Sequence, residues 1–160
     1  MKNAKKIIAL VLALAALTAI FAACAKKDEE ETPAKAVDPA VAAKAIVNAG
    51  DFEGALDEMN PAAVDVYYPS LPADAKYSVY VSDSFSDEVA VFTSADLDAV
   101  ETIVKAHVDE KVDLYKDYAP EQSTKAATNS VIVKKNGAVA LIISKASSSD
   151  AKALAENTLG

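Results

Sequence analysis

The dipeptide Asn136-Gly137 constrains this chain more tightly than any other feature of its sequence. It lies between two apolar runs, Val131-Ile-Val-Lys-Lys135 and Ala138-Val-Ala-Leu-Ile-Ile143. Asn and Gly both tolerate positive φ, which a two-residue type I′ turn requires at both central positions. The two runs are therefore expected to fold back on each other as a tight antiparallel hairpin. Val139 to Ile143 is apolar on both faces, the pattern of a central strand covered on each side. A second hairpin is expected upstream. Tyr77 to Ser82 alternates, with Tyr77, Val79 and Val81 on one face. Glu88 to Phe92 follows after the short polar link Asp83-Ser84-Phe85-Ser86-Asp87.

Helical signals surround these strands. Asp38-Pro39 places a capping residue before a proline at the first helical position, and Val41, Ala45 and Ile46 then face inward until Gly50. Phe52, Leu56 and Met59 read as a second, short helical turn closed by Asn60-Pro61. Val64, Val66 and Tyr67 lead from there into Tyr68-Pro69 and a loop. The longest helix is expected from Ser94 to Tyr118, with Thr93 as N-cap, Asp96 completing a capping box, and Phe92 and Leu97 as a hydrophobic staple. Leu97, Val100, Val104, Val108, Leu114 and Tyr115 fall within roughly a third of the helical circumference. Lys111 lies inside that stripe and reads as the point where the helix leaves the core, its amine reaching water. Pro120 stops the chain soon after, and Ser147 to Asp150 start a last helix running through Leu154 to Leu159. The expected fold is α+β: a four-stranded antiparallel sheet from two β-hairpins, packed with one long amphipathic helix and shorter N- and C-terminal helices, over residues 38–160.

The N-terminal residues carry an address. Lys2, Lys5 and Lys6 precede an uncharged run from Ile7 to Phe21, which is short of the about 20 apolar residues a membrane span needs. The run ends in Phe21-Ala22-Ala23-Cys24, and Cys24 is the only cysteine. This segment resembles the lipobox of bacterial lipoproteins, with Phe21 in place of the usual Leu-like residue. The resemblance implies a signal peptide over 1–23, diacylglyceryl modification of Cys24, and a lipid-anchored place on the extracytoplasmic face of the cell membrane. Residues 24–37 then form a flexible tether, charged and without apolar period. Removing 1–23 takes away three lysines and no acid, moving the net charge from −8 to −11. So acidic a protein is repelled by an anionic membrane, which leaves the lipid as its means of attachment.

Residues 77–159 resemble a domain of unknown function found in small uncharacterised lipoproteins of clostridial-type Gram-positive bacteria. The resemblance rests on Glu88-Val-Ala-Val-Phe92, Tyr115-Lys-Asp-Tyr118, Ala119-Pro120-Glu121 and the hairpin at Asn136-Gly137. That family often carries an Arg in the long helix. This chain has no Arg at all, and His107 and Lys111 are its polar residues on that side. The resemblance implies an address and an architecture and supplies no catalytic residue.

Composition narrows the chemistry. The absence of Arg and the acidic balance speak against nucleic acid as a partner, since neutralising phosphates takes a basic footprint. A single Cys and a single His exclude Cys-based zinc sites and multi-His metal sites. No cofactor is expected: the four glycines are scattered and form no phosphate-cradling loop. His107 borders the apolar stripe and reads as a structural histidine, without a strained nucleophile to serve. The acid pairs Asp57-Glu58, Asp87-Glu88 and Asp109-Glu110 read as solvated faces, and Asp83, Asp87 and Glu88 as ordinary turn chemistry in preference to a Ca²⁺ loop. Tyr67, Tyr68, Tyr115 and Tyr118 mark element ends and are the candidate ligand-facing cluster, because Tyr offers a stiff amphipathic contact surface. The expected role is a non-catalytic binding or accessory domain at the cell envelope, with an envelope protein, peptide or glycan as partner. A small carboxylate-dependent wall or glycan hydrolase and a structural subunit of an envelope complex are the alternatives.

Overall fold

The computed structural model describes residues 36–160. Cys24, the signal peptide and most of the tether lie outside the described residues. In chain order the elements are α1 (Pro39–Ala49), β1 (Asp57–Glu58), α2 (Pro61–Tyr67), β2 (Lys76–Val81) and β3 (Glu88–Thr93). They continue with α3 (Leu97–Tyr115), α4 (Pro120–Asn129), β4 (Ser130–Lys135), β5 (Ala138–Ile143) and α5 (Ser148–Thr158). The strands form one antiparallel sheet in the order β1-β2-β3-β5-β4. The mixed helix-and-sheet class is as expected, but the sheet has five strands where four were expected.

Both hairpins form. The second is closed by Lys135 opposite Ala138, with Asn136 at φ 49° and Gly137 at φ 77°, the left-handed pair of a type I′ turn. The Asn136 amide also donates to the Leu159 carbonyl at 3.0 Å and to that of Gly160, tying the turn to the end of α5. β5 is buried along its whole length between β3 and β4.

Alternation along the strands builds two cores. On one face Val89, Val91, Val131, Val133, Ala138, Ala140 and Ile142 share a core with Ala42, Ala43 and Ile46 of α1 and with Ala151, Ala155 and Leu159. Alanines dominate there, so helix and sheet backbones approach closely. On the other face Val79, Ala90, Phe92, Val139, Leu141 and Ile143 meet Val64 and Tyr68 at α2 and Val100, Val104 and Val108 of α3. The bulky side chains lie on this side. The result is a sheet with a helical layer over each face.

Four expectations are corrected. Residues 57–58 are an edge strand on β2, because Met59 N donates to the Val79 carbonyl at 2.8 Å and draws the segment onto the sheet. The spacing of Phe52, Leu56 and Met59 imitates a helical period. The residues after Asn60 form α2, with the Asn60 side chain accepting from Ala63 N. The long helix starts at Leu97 and is capped by Asp96, whose carboxylate accepts from Ala99 N at 3.0 Å; Thr93 belongs to β3. The helix ends at Tyr115, and Pro120 opens α4, which buries only Gln122 and Ala126 and so carries almost no apolar period.

Replacing Asn136 with Ala removes the side-chain bonds to the C-terminal carbonyls and puts a side chain disfavoured at positive φ into the turn. We expect a loss of about 1–2 kcal/mol in urea denaturation. An unchanged midpoint would count against this turn as the pin of the hairpin.

Candidate functional site

β3 alternates, so Glu88 projects to the same face as Ala90 and Phe92, beneath α3. His107 and Lys111 stand one turn apart on α3 and come down on the same spot. Tyr68, at the C-cap of α2, closes the third side. The Glu88 carboxylate accepts from the Tyr68 hydroxyl at 2.5 Å on Oε1. On Oε2 it accepts from the Lys111 ammonium at 2.5 Å and from His107 Nε2 at 2.9 Å. Glu88 is fully buried, and Tyr68, His107 and Lys111 are at most 8% exposed. The Tyr68 ring packs against His107 at 4.3 Å and edge-on to Phe92 at 4.9 Å between centroids.

The protonation pattern follows from these contacts. Burial alone would push the Glu88 carboxyl up. The positive charge of Lys111 and the bonds from His107 outweigh it and hold Glu88 at about 2, well below its ordinary 4.5. Burial beside that carboxylate pushes the Tyr68 phenol well above its ordinary value, so it stays protonated and donates. His107 Nδ1 lies 3.1 Å from the Tyr67 carbonyl and Nε2 2.9 Å from Glu88 Oε2, which fixes the plane of the ring.

Above this cluster an open cleft of about 310 Å³ runs between α2 and α3, lined by Val66, Tyr67, His107, Glu110, Lys111 and Leu114. Val66, Tyr67 and Leu114 are exposed apolar walls, at 75%, 45% and 58%. Glu110 is exposed at the same surface.

Asp87 projects to the opposite face and is also fully buried. Its Oδ2 accepts from Glu53 N at 2.7 Å and Gly54 N at 3.2 Å. Lys125 Nζ stands 2.9 Å from Oδ1, an ion-pair contact without hydrogen-bond alignment, and 2.5 Å from Glu53 Oε2. Gln122 adds bonds from Ser86 N and Oγ. This second knot braces the loop after α1 and the β2–β3 link against α4.

The reading of Asp87-Glu88 as a solvated face is therefore corrected: both are fully buried, each held by a lysine. Asp57-Glu58, Asp109-Glu110 and Asp83 are exposed. Lys111 does not reach water as expected; its amine turns inward to Glu88. The four tyrosines separate. Tyr67 lines the cleft, and Tyr68, expected to face a ligand, is 1% exposed in the core. The Tyr115 hydroxyl donates to the Phe85 carbonyl at 3.2 Å, and its ring lies 5.5 Å from that of Tyr118, which is 66% exposed. Among the described residues no group of three or more acidic, His or Cys side chains is placed to hold a metal ion. Comparison with known proteins returned no match to a protein family, a curated protein or a solved structure.

Two outcomes test the cluster. Glu88→Gln leaves Lys111 buried without its counter-charge and is expected to lose about 3–5 kcal/mol, most of it regained in Glu88→Gln/Lys111→Met; equal losses would contradict the pairing. Because the folded pKa of Glu88 lies below the unfolded one, its contribution is complete above pH 4.5 and drains away as pH falls toward about 2. Thermal melts from pH 6 to 2 should show a steeper fall below 4.5 in the wild type than in the double variant.

Proposed function

We propose that this chain is a lipid-anchored, extracytoplasmic lipoprotein of the cell envelope whose folded domain binds a ligand through the α2/α3 cleft and performs no chemistry on it. The observation that carries the binding part is the self-sufficiency of the Glu88 cluster. Both carboxylate oxygens are engaged by protein donors, and the imidazole is pinned between a carboxylate and a backbone carbonyl. A general base has to reach a substrate proton, and the Glu88 carboxylate, fully buried beneath Tyr68, His107 and Lys111, has no exposed oxygen to do so. What remains at the surface is a concave apolar lining with a few convergent polar groups, the ordinary make-up of a binding site.

The anchoring part rests on Phe21-Ala22-Ala23-Cys24 at the end of the apolar run, and on an acidic domain that has no electrostatic reason to adhere to a membrane. The likeness of residues 77–159 to small lipoprotein domains of clostridial-type Gram-positive bacteria agrees with this placement.

Cys24→Ala is expected to move the protein from the membrane to the soluble fraction of fractionated cells, and mass spectrometry of the native protein to find a diacylglyceryl group on Cys24. Retention of the variant on membranes would overturn the anchor. Turnover of wall or glycan fragments by the wild type, lost in Glu88→Gln, would overturn the non-catalytic reading.

A further inference from the structure

We propose that the α2/α3 cleft is a docking groove for a basic amphipathic helix of a partner protein, apolar on the side laid into the groove and bearing Lys or Arg along its flank. This deepens the binding role proposed above and rests on it. Among the described residues five large apolar side chains are exposed. Four of them, Val66, Tyr67, Leu114 and Tyr118, stand on α2 and at the C-terminal end of α3. Apolar side chains gathered at one place on a surface mark a contact site, where scattered ones do not. Val66, Tyr67 and Leu114 are the walls of the cleft itself. It runs along α3 from His107 to Leu114, two turns or about 10 Å. An open apolar trough of that length between two helices has the form that receives a third.

The charge at this place is one-sided, and it identifies the occupant. The Lys111 ammonium is buried and turned onto Glu88, so it offers nothing to a ligand. Glu110 lines the cleft, and Asp113 and Asp117 follow three and seven positions later on the same flank, at the end of α3 and in the turn after it. All three are exposed, and among the described residues none is in an ion pair. From residue 109 to residue 121 five acids are exposed against one lysine, Lys116. The last turn of α3 holds no basic residue, so the negative end of its backbone dipole adds to the same field. A partner that covers this surface has to bring positive charge: an acidic one is repelled, and a neutral one strips water from acids it does not answer. A second copy of this chain would set the same acids against one another across a two-fold axis, and an anionic lipid surface is repelled likewise. A helix with apolar residues at i, i+4 and i+7 and Lys or Arg beside them answers the walls and the acids together, because both recur at the spacing of helical turns.

The test uses the full-length chain in phosphatidylcholine nanodiscs with a photo-cross-linking amino acid in place of Val66. It reads adduct formation with the peptide LKKLLKLLKKLLKL, a helix with leucines on one side and lysines on the other. The peptide is expected to label position 66 saturably and to leave a cross-linker in place of Val41, exposed on α1 across the sheet, unlabelled. Glu110→Gln/Asp113→Asn/Asp117→Asn, three exposed changes that leave the fold intact, should raise the half-saturating concentration about tenfold, the loss of three surface ion pairs. Leu114→Ser should raise it by a similar factor through lost apolar contact. Partition of the peptide into lipid is common to all variants and cancels. If the counterpart with Glu for every Lys labels position 66 as well, or the triple variant changes nothing, the basic-helix assignment fails while the cleft remains a binding site. If Leu114→Ser changes nothing, or position 41 labels equally, the peptide adheres to the acidic surface at large and the docking groove fails. If neither peptide labels position 66, the assignment fails as well. The general binding reading is then judged separately, by whether the same cross-linker forms a specific adduct in intact envelopes.

Discussion

A carboxylate placed in the middle of an apolar sheet face has to be answered, and the way Glu88 is answered sets the arrangement around it. Its partners come from two helices, Tyr68 at the end of α2 and His107 and Lys111 on α3. Dispersion contacts among Val100, Val104, Val108, Phe92 and Leu141 would tolerate α3 sliding or rotating by a fraction of a turn. Hydrogen bonds to one buried charge do not, since a misplaced α3 strands either the lysine or the glutamate in a medium that solvates neither. The cluster thus converts a generic helix-on-sheet packing into one register, and the cleft between α2 and α3 inherits its shape from that register.

The two faces of the sheet achieve cohesion by different means. Under α1 and α5 the alanines bring backbones together, and the one buried acid on that side, Asp87, lies at the edge with the loop and α4. Under α2 and α3 the side chains are large and include a tyrosine, a histidine and an ion pair. Adjacent acids at the start of β3 serve opposite faces: Glu88 fixes the helical layer, while Asp87 holds the loop at Glu53 and Gly54 and the lysine of α4.

Much of this was legible in the residues, and the legible parts share a cause. The hairpin at Asn136-Gly137, the cap at Asp38 and the Val100, Val104 and Val108 part of the α3 stripe are local, so their signals lie within a few positions of the structure they specify; Leu114, expected in that stripe, is exposed because the helix has left the sheet there. The missed parts are determined from a distance. β1 is two exposed residues held by a strand about twenty positions away, and α4 shows the core only Gln122 and Ala126. Glu88 next to Asp87 looks like the polar end of a turn, and only its partners reveal it as the centre of a core. The available clue was Lys111 within an apolar stripe one turn beyond the only histidine, opposite a strand beginning with an acid. Two polar residues at that spacing on a buried face call for a third group to neutralise them. The tyrosine cluster could not be resolved at all, because Tyr67 and Tyr68 are neighbours whose side chains part company at the last turn of a seven-residue helix.

Tyr67 faces solvent along the cleft and gives its carbonyl to His107, while the next residue carries the hydroxyl bonded to Glu88. One peptide unit therefore separates a solvent-facing ring from the contacts of the buried Glu88 carboxylate. The wall of the cleft and the most deeply placed acid are thus held by consecutive residues of a single backbone turn.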